Sequence, residues 1–208
     1  MALCPCCPQS VSHFRPRTGL CLAGRGPAPK ADRVTPYAQV LGADLDRLPT
    51  PCQALHRAFG RFEGRITVEP GPFLVLRMLA RLMGLPAATP DAPLVLETAP
   101  TEKGACWTRR IGPQCMMSQQ RAMPDGTLAE QLGPVTLAAR LVPDGAGLRL
   151  ETAWVRFLGL RLPRFFWPGM QAREWAESGL YRFEIDIRLP VLGTRLIAYS
   201  GWLDPLAS

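Results

Sequence analysis

The run Leu180-Tyr181-Arg182-Phe183-Glu184-Ile185-Asp186-Ile187-Arg188-Leu189 alternates without a break. Tyr181, Phe183, Ile185, Ile187 and Leu189 fall on one face, and Arg182, Glu184, Asp186 and Arg188 on the other. A period of two marks a strand with one face in a core and the other in water. Buried parallel strands read instead as continuous apolar runs, so this strand belongs to an antiparallel sheet covered on one side.

Short segments of the same kind fill the second half of the chain. Pro93–Ala99, Ala105–Ile111, Gln114–Met123, Thr127–Leu132, Val135–Val142 and Leu148–Phe157 read as strands, followed by Gln171–Glu177, Gly179–Leu189 and Thr194–Leu203. The breaks carry turn chemistry: Glu102-Lys103-Gly104, Gly112-Pro113, Pro124-Asp125-Gly126, Gly133-Pro134 and Pro143-Asp144-Gly145. Before them, Tyr37–Leu41 starts a short helix that stops near Gly42. Thr50 suits an N-cap with Pro51 at the first helical position, and Cys52, Leu55 and Phe59 form a stripe ended by Gly60. Gly64–Glu69 is a further strand, and Phe73–Met83 is a helix apolar almost all round except for Arg77 and Arg81. That pattern predicts burial on most sides, although a lid or an interfacial segment has the same look. Strands joined mainly by hairpins give an α+β, mainly antiparallel β fold. The expected form is a strongly curved sheet or β-barrel-like domain with two or three short helices closing one end.

Composition limits the partners. The net charge of +7 is concentrated in residues 1–33, where Arg15, Arg17, Arg25, Lys30 and Arg33 face Asp32 alone. No basic run is interleaved with aromatics as a strand-binding groove needs, so nucleic acid is not an expected partner. Residues 1–33 are rich in Pro, Gly, Arg and Cys without periodicity and read as a disordered tail before a single domain, 34–208. Seven cysteines, an odd number without a secretory signal, point to reduced thiols and a cytoplasmic setting. Cys4, Cys6, Cys7, Cys21 and His13 match no paired zinc module, so no metal site is expected. The longest apolar segment, Pro72–Leu85, is interrupted by Arg77 and Arg81 and is too short to span a bilayer, so no transmembrane segment is expected and peripheral membrane contact stays open.

Several segments in order carry a resemblance. They are Leu48-Pro49 with Leu55-His56, Trp107-Thr108-Arg109-Arg110-Ile111-Gly112, Glu130 with Leu132-Gly133-Pro134, and Leu158-Gly159-Leu160 with Leu162-Pro163. Ala172-Arg173-Glu174, Phe183-Glu184-Ile185, Leu189-Pro190 with Leu192-Gly193, and Tyr199-Ser200-Gly201-Trp202-Leu203 complete the set. Over Tyr37–Leu203 the chain resembles the bacterial family called domain of unknown function 4166. The resemblance implies a freestanding copy of a domain that in relatives often follows a saccharopine-dehydrogenase-like oxidoreductase domain, and therefore an oxidoreductase as a partner in trans. It implies no activity. No Gly-x-Gly-x-x-Gly occurs, so no dinucleotide or other cofactor is expected in this chain.

The chemistry-bearing residues are few. His56, the one histidine after the tail, is the candidate for acid–base work if a carboxylate such as Glu130 or Glu174 lies beside it. Trp107 and Arg109 share one strand face and Thr108 and Arg110 the other. An inward Arg needs a carboxylate, Glu130 or Glu174, or else a bound anion. A two-residue turn at Ser178-Gly179 would pair Glu174 with Phe183 and send its carboxylate inward, beside Tyr181 and Phe183 and within reach of Arg109 or Arg110. With Tyr199 these residues form the expected ligand-binding set: Trp107, Arg109, Arg110, Glu130, Glu174, Tyr181, Phe183 and Tyr199. Phe165, Phe166 and Trp167 stand in a row that no strand buries on one face, and mark a mouth or a partner-binding patch. The expected function is non-catalytic binding of an apolar small molecule or lipid in a β-rich cavity. The alternatives are a module docking on an oxidoreductase and an acid–base enzyme using His56 with a Glu.

Overall fold

The computed structural model describes residues 33–205 other than 83 and 191. These belong to one unit, Asp32–Ser208. The expectations of a disordered tail and of no zinc site there fall on residues 1–32, outside the described residues.

Among the described residues three short α-helices, α1 (Pro36–Leu41), α2 (Thr50–Arg57) and α3 (Leu74–Leu82), accompany eleven strands. The strands are β1 (Arg61–Pro70), β2 (Thr89–Thr101), β3 (Gly104–Ile111), β4 (Gln114–Ala122), β5 (Leu128–Leu132) and β6 (Val135–Pro143). They continue with β7 (Gly147–Phe157), the two-residue β8 (Leu160–Arg161), β9 (Gly169–Glu177), β10 (Leu180–Arg188) and β11 (Arg195–Asp204). Every pairing is antiparallel. β1 pairs with β2 across α3, successive hairpins run from β2 to β7, β1 also pairs with β11, and the order continues through β10 and β9 to β7. Because β7 pairs with both β6 and β9, the sheet closes into a ten-stranded barrel, with β8 an appendage on β7. The barrel-like fold expected from alternation is thus the one observed.

The inward faces follow the period of two. Ile66, Leu94, Ile111, Leu148, Ile197 and Leu203 are buried, while β10 turns Arg182, Glu184, Asp186 and Arg188 away from the core. Charges on the outer face are the reverse of the apolar band that a lipid-embedded barrel presents. No helix among the described residues is long and apolar enough to cross a membrane.

Alternating strand direction gives the barrel two distinct ends. At one, α1 packs on β4 and β5, and α2 on β9 and β10. Thr35 caps α1, accepting from the Ala38 amide at 3.1 Å, and its hydroxyl donates to the His56 carbonyl, which ties the two helices together. The chain does not simply stop at Gly42, whose φ is +53°, but runs on as a 3-10 helix, Gly42–Arg47. Pro49 rather than Thr50 occupies the N-cap of α2.

Helix α3 corrects the expectation of burial on most sides. It links the end of β1 to the start of β2 and therefore sits at the opposite end from α1 and α2. Its Leu76 and Ala80 are buried, but Phe73, Leu74, Val75 and Met78 are exposed. A barrel rim offers a helix only one side to pack against, so an all-round apolar helix placed there leaves most of its surface bare.

Candidate functional site

The hairpin of β9 and β10 has the register expected from a two-residue turn: Glu177 pairs with Leu180, Trp175 with Arg182 and Glu174 with Phe183. Glu174 therefore points inward, with 6 % of its surface exposed. Its partner is neither Arg109 nor Arg110. Helix α2 buries Cys52, Leu55 and His56 on one face, and this brings His56 Nε2 to 2.6 Å from Glu174 Oε2.

Tyr37 completes the arrangement. Its hydroxyl donates to Glu174 Oε1 at 3.2 Å, and its ring stacks on the His56 imidazole with centroids 3.8 Å apart. Tyr181 meets the same imidazole edge-on and also hydrogen-bonds Glu174. The Nδ1 atom of His56 is buried and has no partner among the described residues. A carboxylate only accepts, so at this distance the Nε2–H of His56 donates to Glu174. Burial, together with the negative charge of Glu174, pushes the Tyr37 and Tyr181 hydroxyls well above the usual phenol value. The same causes raise the Cys52 thiol to about 12.

A second polar cluster comes from three adjacent strands. Arg109 on β3 donates to Ser118 Oγ on β4 at 2.9 Å and to Glu130 Oε1 on β5 at 3.0 Å. Ser118 in turn donates to Glu130 at 2.6 Å. Burial opposes the guanidinium charge, but the Glu130 carboxylate together with Tyr199 and Tyr37 outweighs it and holds the Arg109 pKa above its ordinary value. The Arg109 guanidinium also lies 5.0 Å from the Trp107 ring centre. Arg110 points outward to Glu97 at 3.2 Å and takes no part in the interior. This corrects its place in the expected ligand-binding set.

Both clusters line one cavity of about 70 Å³ along the barrel axis. Tyr37 and Leu55 bound it near the helix-capped end, and Pro86, which follows α3, bounds it toward the other. Ile66, Leu94, Leu96, Met116 and Ile185 form apolar walls, whereas Tyr37, Arg109, Glu130, Glu174, Tyr181 and Tyr199 supply polar groups. His56 lies behind Tyr37 and Glu174 and does not line the space. The volume is well below the roughly 300–1,000 Å³ of a drug-sized site, so anything larger than a few atoms must displace a wall.

The structure thus brings together Trp107, Arg109, Glu130, Glu174, Tyr181, Phe183 and Tyr199 around the cavity, with His56 behind them. Phe165 and Phe166 lie elsewhere, exposed on a short 3-10 helix. Trp167 turns back against the cluster of Ala129, Ala138 and Trp154, and its indole donates to the Leu162 carbonyl at 2.8 Å. Sequence reasoning missed Tyr37 and Ser118. Alternation along β4 places Ser118 inward between Met116 and Gln120, a signal that was readable, but nothing local sends Tyr37 into a barrel. Among the described residues no group of three His, Cys, Asp or Glu is placed to hold a metal ion.

A search of curated proteins finds no sequence match. The model of the family described as Domain of unknown function (DUF4166) matches residues 48–203, about three quarters of the chain, and spans His56, Arg109, Glu130 and Glu174. The chain therefore belongs to the DUF4166 family.

Proposed function

We propose that the domain binds a small, largely apolar molecule whose polar head is a hydrogen-bond donor, neutral or cationic, within the barrel. The observation that carries this reading is the division of one interior cavity into apolar walls and a floor of buried, mutually bonded polar groups. Arg109 is already held by Glu130 and Ser118, and Glu174 accepts from His56 and Tyr37, so the described lining of the cavity offers no cation that is not already paired. An incoming carboxylate or phosphate would find no free cation there and would face the Glu130 and Glu174 carboxylates at short range in a low-dielectric space. A hydroxyl or an ammonium would instead find carboxylate and phenol oxygens as acceptors. Met116, unbranched and flexible, is the wall residue best able to yield to such a guest.

Calorimetric titration with octan-1-ol, octylamine and octanoate tests the idea. The alcohol and the amine are expected to bind one per chain, and octanoate at least about tenfold more weakly, a difference of about 1.4 kcal/mol. Filling the cavity by Leu94→Trp in a protein that still unfolds cooperatively should abolish binding. Equal affinity for octanoate, or binding indifferent to Leu94→Trp, would refute the reading.

The 2.6 Å contact of His56 with Glu174 favours a second reading, general acid–base chemistry at Glu174 with His56 orienting it. Mass spectrometry of solvent extracts separates the two: a binding protein returns a bound molecule unchanged, and an enzyme returns a product.

A further inference from the structure

We infer that the α3 end of the barrel docks on an anionic lipid surface. Ten of the eleven strongly exposed large apolar side chains among the described residues lie at this end, Val34 being the exception. On α3 and its approach they are Phe73, Leu74, Val75 and Met78, with Leu74 72 % exposed. The end of β7 and its connection to β9 add Phe157, Leu158, Leu160, Phe165 and Phe166, and the β10–β11 turn adds Leu192. Around the ring the order is β2, β1, β11, β10, β9, β7, so α3, the Leu192 turn and the Leu158–Phe166 connection occupy successive arcs of one rim. Scattered single apolar residues need no explanation, but a run of them along half a rim does.

Charge selects the occupant. Arg77 and Arg81 on α3 and Arg156, Arg161 and Arg164 beside the other arc form no ion pair among the described residues. Arg77 donates to the Gly71 carbonyl, Arg156 and Arg161 lie over the Trp154 ring, and Arg164 lies over Trp167. The acidic residues of this end are already engaged: Glu69 by Arg195, Asp91 by Arg65, and Asp186 by Arg188 and Arg195. The rim therefore presents apolar side chains interspersed with uncompensated arginines. That is the chemistry of a segment lying at the boundary between acyl chains and anionic headgroups. The inference stands apart from the ligand reading. If both hold, the cavity, which Pro86 bounds on the α3 side, fills from the bilayer.

Co-sedimentation of the full chain with phosphatidylcholine vesicles, with and without about 30 mol % phosphatidylglycerol, is the test. Binding to the anionic vesicles is expected to be at least about tenfold tighter, and to weaken as salt is raised. The variants Leu74→Asp with Met78→Asp, and Phe165→Ser with Phe166→Ser, should each lower binding about tenfold without changing thermal unfolding, because these side chains are exposed. Arg81→Gln with Arg164→Gln should remove the preference for anionic vesicles while leaving the residual binding to phosphatidylcholine. No sedimentation with either vesicle, or sedimentation that both apolar variants leave intact, would overturn the inference. So would light scattering that shows a wild-type dimer and a monomer for the α3 variant, since the rim would then be covered by a second copy.

Discussion

Glu174 is the residue on which the interior turns, because it accepts from Tyr37, hydrogen-bonds Tyr181 and meets His56 at 2.6 Å. Replacing it with Gln removes the charge while keeping the shape, and leaves His56 and two phenols without their common acceptor. The loss expected in urea unfolding is about 3–5 kcal/mol, the scale of breaking a buried charged contact from one side. Repeating the measurement in a His56→Gln background should recover part of the loss, since the two side chains share one interaction. An effect within about 0.5 kcal/mol would mean that the carboxylate contributes nothing to the fold. The inward direction of Glu174 was legible from ten residues of hairpin. Its partner was only one of several open options, His56, Arg109 or Arg110, because His56 lies 118 positions away on a helix whose docking no local pattern records. For Arg109 the sequence left Glu130, Glu174 and a bound anion open, and the structure selects Glu130, only 21 positions away on a neighbouring hairpin.

At the scale of elements, the strands were readable to within a few residues because alternation and turn chemistry agree at each hairpin. Closure was harder to see. The sheet seals where β7 meets β9 over only four pairs, Gly147–Leu150 against Ala172–Trp175, and β7 is bulged against β6 near Ala138 and Ala139. Neither leaves a mark in a hydrophobic pattern. The seam between β1 and β11 is marked, by a glycine inside a strand. A Cβ on Gly201 would lie 2.3 Å from the Arg65 carbonyl oxygen and 2.8 Å from the Phe183 ring. The two backbones approach too closely there for any side chain, which is the usual meaning of such a glycine. Gly201→Ala should therefore cost about 1–3 kcal/mol or more in equilibrium unfolding, whereas the outward neighbour Ser200→Ala should stay within about 0.5 kcal/mol. Equal effects at the two positions would show that the seam tolerates separation.

The whole molecule concentrates its titratable chemistry inside the barrel. All three tyrosines of the chain, Tyr37, Tyr181 and Tyr199, line the one cavity. Burial raises every one of their pKa values, Tyr199 to about 12 and Tyr37 and Tyr181 well above the ordinary phenol value, while an unfolded chain titrates them near 10. Below about pH 10 both states keep the phenolic protons and stability does not depend on them. Above it the unfolded chain releases protons that the folded barrel retains, so stability falls as pH rises, by about 1.4 kcal/mol per pH unit for each tyrosine engaged. The fall continues until the folded values are reached, for Tyr199 at about 12. Cys52, also raised to about 12, adds a contribution that begins near the ordinary thiol value. Two measurements check this. The phenolate absorbance of the native protein should stay flat through pH 10 and appear only together with loss of structure. The slope of unfolding free energy against pH should lose one proton's worth in each of Tyr37→Phe, Tyr181→Phe and Tyr199→Phe. A native protein whose tyrosines ionise near pH 10 with the fold intact would mean that water reaches the floor of the cavity freely, and the dry, charge-selective interior proposed for ligand binding would fail with it.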